Sequence, residues 1–175
     1  MSDLYVDWSD YHQKIEQLAA KIYRSGWQFD RILCLARGGL RVGDLLSRIY
    51  DRPLAILAVS SYGGAGGQIQ GKIAFAEHLT TTAGSLEGRV LIVDDLVDSG
   101  VSLQQTLHWL SDRYGSQIQE VRTAVLWYKA RSIFAPDYYI DYLLDNPWIH
   151  QPFEPYEQMS PDRLAAKYEP LSMKV

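Results

Sequence analysis

The chain has 175 residues, 47% of them hydrophobic and 22% charged, which fits one compact domain with a sizeable core and excludes a disordered polyelectrolyte. A net charge of −4 with scattered Lys and Arg gives no basic stripe of the kind that follows a nucleic-acid backbone, so no nucleic-acid partner is expected. No apolar run approaches the roughly 20 residues of a membrane span, the N-terminus MSDLYVDWSD lacks a basic-then-apolar leader, and a cytoplasmic location is expected.

Taken in chain order, Tyr11, Ile15, Leu18 and Ile22 recur at helical spacing, with Ser9 as the expected cap and Gly26 as the stop, predicting a helix over 10–25. ILCLA, residues 32–36, is a short continuous apolar run of the kind buried on both faces of a parallel sheet. It contains the only cysteine, Cys34, which reads as a small buried hydrophobe. Arg37-Gly38-Gly39 follows, then a helix with the stripe Val42, Leu45, Leu46 and Ile49. LAILAV (54–59) and VLIV (90–93) repeat the strand pattern, and Leu103, Leu107, Leu110 and Tyr114 mark another helix. VRTAVLW (121–127) and YYIDYL (138–143) are further strands, and Ser160-Pro161 starts a short terminal helix.

Strands alternating with helices predict an α/β, Rossmann-like, largely parallel sheet flanked by helices. Two stretches break the rhythm. Residues 60–88 hold seven of the thirteen glycines and are expected to form a flexible loop, and 145–157 is rich in proline and aromatics. The histidines His12, His78, His108 and His150 show no metal-ligand spacing.

The chemistry concentrates in VLIVDDLVDSGVS, residues 90–102. Asp94 and Asp95 stand at the end of a buried strand, Asp98 follows, and Ser99, Gly100, Val101 and Ser102 turn into a helix whose first amides lack intrahelical partners. Such a terminus binds phosphate through its N–H groups and dipole. Paired carboxylates beside a sugar phosphate can accept ribose hydroxyls or hold Mg²⁺ through water. Neither a dinucleotide fingerprint nor a GxxxxGK[ST] loop is present.

The thirteen-residue string resembles the motif with which type I phosphoribosyltransferases bind 5-phosphoribosyl pyrophosphate (PRPP), and Ala36-Arg37-Gly38-Gly39 resembles the loop with which they hold its pyrophosphate. SSY at 60–62, Lys129, and WIHQPFE at 148–154 look like the bacterial xanthine-guanine branch, with similarity from about residue 31 to 154. The resemblance implies a type I phosphoribosyltransferase fold in a single domain, 1–175, with a small hood at about 129–157. It implies PRPP binding by Arg37, Gly38, Asp94, Asp95, Asp98, Ser99, Gly100, Val101 and Ser102, with Mg²⁺ at Asp95. Asp98 would contact the purine N7 and assist proton transfer. Lys129 would donate to a 6-oxo group, Trp148 would stack on the base, and the backbone around Ile149 would meet its 2-substituent. Alone, Lys129 reads as a solvated surface residue and Trp148 as a buried aromatic; the motif changes the reading of both. The segment GGAGGQIQGK lacks the arginine of the bacterial enzymes' loop, and Lys72 is the candidate to replace it.

The implied activity is transfer of the 5-phosphoribosyl group of PRPP to guanine, xanthine or hypoxanthine in purine salvage. The alternative from another class is a non-catalytic sensor of PRPP or nucleotide with the same fold. Trp8, Trp27 and Trp109, read as exposed aromatics, point to a homodimer or homotetramer.

Overall fold

The computed structural model describes residues 3–62 and 72–168. In chain order the elements are β1 (Leu4–Tyr5), α1 (Trp8–Arg24), β2 (Arg31–Ala36), α2 (Gly39–Tyr50), β3 (Leu54–Tyr62), β4 (Lys72–Phe75), β5 (Thr80–Thr81) and β6 (Gly88–Val93). They continue with β7 (Leu96–Val97), α3 (Val101–Tyr114), β8 (Ile118–Lys129), β9 (Tyr138–Leu143), β10 (Ile149–His150), a 3₁₀ turn (Glu154–Glu157) and α4 (Pro161–Lys167). Backbone packing groups them into two compact units, residues 13–146 and residues 1–12 with 147–175.

The larger unit is built on a mainly parallel sheet. β2 pairs in parallel with β3 on one side and β6 on the other, and β8 pairs in parallel with β6, β7 and β9. β4 and β5 join β3 antiparallel. The chain thus leaves β2 through α2 toward β3, and leaves β6 through α3 toward β8 on the opposite side. The reversal between β2 and β6 is a topological switch point, the place where open α/β sheets leave a crevice at their carboxyl ends. Residues 37–39 and 94–100 both emerge there.

The apolar runs form central strands because both faces are covered. Leu33, Leu35, Ala55, Leu57, Val90, Ile92 and Val125 share one cluster with Leu103 and Leu110 of α3. The alternating residues Ile32, Cys34, Leu91 and Val93 are equally inaccessible, as period 2 requires. Cys34 is a packing residue, as expected. A Cβ on Gly43 of α2 would stand 2.6 Å from the Cys34 Cβ, and burial, followed by the charge of Asp94, pushes the thiol up to about 12.

Several boundaries differ from the sequence expectations. Helix α1 starts two residues early because Asp7, not Ser9, caps it: the Asp10 N–H donates to Asp7 Oδ1 at 2.8 Å. Ile49 lies off the buried stripe of α2 and is 54% exposed. Trp27 is not a surface aromatic; it is 8% exposed, with the Arg122 guanidinium 4.8 Å from its ring centroid. In the expected 60–88 loop, residues 63–71 lie outside the described residues, as does the Lys72 side chain, while the remainder carries β4 and β5 and the end of β3.

In the smaller unit β1 and β10 form a two-stranded parallel sheet, Leu4 opposite Ile149. His150 stacks on Tyr5 and lies within 3.1 Å of Asp3 and 3.3 Å of Glu154. Ser160 precedes α4 in an extended conformation and Pro161 opens it, as the sequence predicts. Among the described residues no helix is long and apolar enough to cross a membrane.

Candidate active site

The 37–39 turn and the acidic loop meet because glycine lets them. A Cβ on Gly38 would lie 2.4 Å from Asp95 Oδ1 and 2.9 Å from Asp94 Oδ1, and one on Gly39 would lie 2.5 Å from the Val93 carbonyl. Neither position has a left-handed φ, so the requirement is for space. The Ala36–Arg37 peptide is cis. Gly38 stands against Asp94 and Asp95 at the switch point, with Arg37 next to it in the chain.

The strand end fixes the paired carboxylates. The Asp94 N–H donates to the Ala124 carbonyl at 3.2 Å, and the Asp95 carbonyl accepts from Leu126 and Trp127 at 3.0 and 3.1 Å. Asp94 keeps a partial opening to solvent but is ringed by protein atoms. That desolvation, and then the charge of Asp95, raise its carboxyl well above the usual range, against the opposing amides of Asp95 and Gly39. Asp95 itself is 9% exposed. Among the described residues no three His, Cys, Asp or Glu side chains converge into a metal cage. A hard cation here must therefore draw oxygen ligands from water and substrate as well as protein. Mg²⁺ fits that donor set, since it keeps several waters and binds through one or two carboxylates plus phosphates.

Beyond Asp98 the backbone turns at Gly100, whose φ of +80° is left-handed, and α3 begins at Val101. The first-turn amides of Val101 and Ser102 carry the partial positive charge of the helix terminus. Ser99 Oγ lies 3.4 Å from the Val101 nitrogen, and Ser99 is exposed. A Cβ on Gly100 would collide with Ser132 Oγ at 2.3 Å and Phe134 Cβ at 2.8 Å, so this glycine also admits the turn that follows β8.

That turn delivers the other half of the site. Lys129, the last residue of β8, is 4% exposed, and its Nζ lies 3.5 Å from Asp98 Oδ1. It is not a solvated surface lysine. Arg131, which sequence reasoning passed over, reaches the same carboxylate: Nε donates to Oδ1 at 2.6 Å, and Nη2 donates to Oδ2. Burial pushes the Asp98 carboxyl up, but the Arg131 hydrogen bonds and the charges of Lys129 and Arg131 outweigh it and hold the carboxyl below the ordinary range. No local signal marks it, because Arg131 lies beyond the end of β8 and meets Asp98 only when the turn folds back.

The structure thus brings together Gly38, Asp94 and Asp95 in one group, with Arg37 adjacent to Gly38 in the chain, and Asp98, Ser99, Gly100 and Lys129 in an adjoining one. Trp148 and Ile149 belong to the smaller unit. Trp148 is 62% exposed, not the buried aromatic its setting predicts, and its carbonyl accepts the Leu4 N–H at 2.8 Å. Ile149 is buried in β10.

A sheet with its crevice at β2 and β6, an acidic strand end and a helix terminus suited to phosphate define an open α/β protein of the class that takes ligands at a topological switch point. The chain belongs to the phosphoribosyl transferase domain family, which matches residues 5–158. Among its relatives, a xanthine-guanine phosphoribosyltransferase of Gluconobacter oxydans is 30% identical over 151 residues, 85% of this chain and 83% of that protein. A hypoxanthine/guanine phosphoribosyltransferase of Methanopyrus kandleri is 33% identical over 116 residues, 63% of this chain; the match spans 61% of that relative's length. The crystal structure of a purine phosphoribosyltransferase from Pyrococcus horikoshii superposes with a TM-score of 0.72 at 30% identity, over 88% of this chain and 95% of that one. The fold is the type I phosphoribosyltransferase fold, as the sequence resemblance implies.

Proposed function

We propose that this protein transfers the 5-phosphoribosyl group of PRPP to a 6-oxopurine, giving the nucleoside 5′-monophosphate and pyrophosphate in purine salvage. One observation carries the acceptor: a buried lysine and a carboxylate 3.5 Å apart, beside the helix terminus suited to phosphate. On a 6-oxopurine, O6 and N7 share one edge of the ring. An ammonium can only donate and an ionised carboxylate can only accept, so the pair matches O6 together with an N7–H. A 6-amino group would present donors to a donor. The named relatives support the same reading.

In this account a purine ring nitrogen forms the bond to C1′ as the C1′–O bond breaks, with inversion, and the electron pair leaves on pyrophosphate. The N7 proton passes to Asp98. The amides of 99–102 hold the 5-phosphate, Asp94 and Asp95 accept the ribose hydroxyls, and the Arg37–Gly38 turn grips the pyrophosphate. When bound, Mg²⁺ supplies positive charge to the leaving group, and Asp95 is the residue assigned to it. Trp148 offers an exposed indole face for the base, worth about 1 to 3 kcal/mol of stacking, and Ile149 lends its backbone to the 2-substituent. The chain works as one phosphoribosyltransferase domain, its hood at about 129–157, and assembles as a homodimer or homotetramer.

Incubation with PRPP, Mg²⁺ and guanine, xanthine or hypoxanthine is expected to yield the matching nucleoside 5′-monophosphate. Failure of all three bases to yield product contradicts the proposal.

A further inference from the structure

We propose that Arg131 is a positioning residue for Asp98, its guanidinium gripping both carboxylate oxygens so that the group faces an incoming base as an oriented anion. The inference rests on the phosphoribosyltransfer reading and goes beyond it.

The geometry behind it is built, not incidental. Arg131 donates from Nε and Nη2 to the two oxygens of Asp98, the planar fork that guanidinium and carboxylate share. The turn that carries Arg131 is tied down on each side: its N–H donates to Asn146 Oδ1 at 3.1 Å, and the neighbouring Ala130 N–H donates to the Leu143 carbonyl at 3.0 Å. The Ile133 N–H reaches the Ser99 carbonyl at 2.9 Å, so turn and acidic loop are joined through backbone as well as side chains. Oδ1 also faces Lys129 Nζ at 3.5 Å, so Oδ2 is the oxygen with a lone pair left for an N–H of the base.

Two cations on one carboxylate divide the work. Lys129 also lies against Asp98 Oδ1, but the proposed chemistry turns that ammonium toward the purine oxygen. Arg131 then remains as the counter-charge, and a guanidinium does not lose its proton in proteins. Without it Asp98 would share an acidic loop with Asp94, Asp95 and the phosphates of PRPP, a setting that favours the protonated carboxyl. A protonated Asp98 donates and can no longer accept the N7 proton. Among the described residues, Lys129 and Arg131 are the charged groups that act on Asp98.

The test uses the full chain with ¹³C-labelled Asp carboxyls, Asp98 being assigned through Asp98→Asn, and compares the unsubstituted protein with Arg131→Gln and Arg131→Lys. Arg131 is about half exposed, so both variants are expected to fold. The Asp98 midpoint should rise by about one unit in Arg131→Gln and much less in Arg131→Lys, an opposite charge at this range being worth about 1 to 3 units. With PRPP saturating, the acid limb of kcat/KM for guanine should move up by the same amount. An unmoved midpoint, or a loss of activity equal at every pH, overturns the assignment of Arg131 while leaving the transferase reading intact. Absence of turnover in the unsubstituted chain overturns the transferase reading, and with it a catalytic purpose for the pair.

Discussion

Asp94 and Asp98 stand four residues apart on one loop, and their surroundings push their acidities in opposite directions. Desolvation and the charge of Asp95 favour the protonated form of Asp94, whereas Arg131 and Lys129 hold Asp98 ionised despite its burial. For Asp98 the consequence is catalytic. Replacing it with Ala should lower kcat by about 10² to 10⁴ if it takes the purine proton. Turnover unchanged in Asp98→Ala would remove it from the mechanism. For Asp94 the consequence is thermodynamic. A folded-state value above the unfolded one of about 3.9 means that the stability tied to its proton is fully present below that pH. It is lost as pH rises through the folded-state value. Asn imitates the protonated form, so Asp94→Asn should raise Tm at pH 8, measured without Mg²⁺ or PRPP, and leave it nearly unchanged at pH 3. An equal gain at both pH values would show that charge is not the cause. Of this residue-scale picture, the three carboxylates and Lys129 were legible because each stands in a motif. Arg131 was not, since its meaning depends on a turn folding back onto residues more than thirty positions earlier.

Among the elements, the site depends on how closely two loops approach at the switch point between β2 and β6. Gly38→Ala tests this directly. Its Cβ has no room beside Asp95, and overpacking of this kind costs about 1 to 3 kcal/mol. Gly26→Ala is the comparison, because a Cβ on Gly26 would meet nothing within 4 Å and only its φ of +74° resists substitution. Fluorescence titration with PRPP should show affinity lost in Gly38→Ala and retained in Gly26→Ala. Equal affinities would mean that the two loops need not touch. The central strands and α3 were readable because continuous apolar runs and a 3.6-residue stripe are local signals. β4 and β5 were not, because they are strands only through their pairing with β3. Nor were β1 and β10, two residues each, whose pairing joins Leu4 to Ile149 across nearly the whole chain. Such short pieces have no period to detect.

For the molecule as a whole, the donor half and the acceptor half of the proposed reaction are carried by separate features. Lys129→Ala should therefore raise KM for guanine and leave PRPP affinity nearly alone. A large loss of PRPP binding would place Lys129 on the wrong substrate. The most direct measurement is pyrophosphate release from PRPP and Mg²⁺ with single bases supplied in turn, including adenine. Release with at least one of guanine, xanthine and hypoxanthine, and none with adenine, is the predicted result. Retained PRPP binding with no release from any 6-oxopurine would contradict the account.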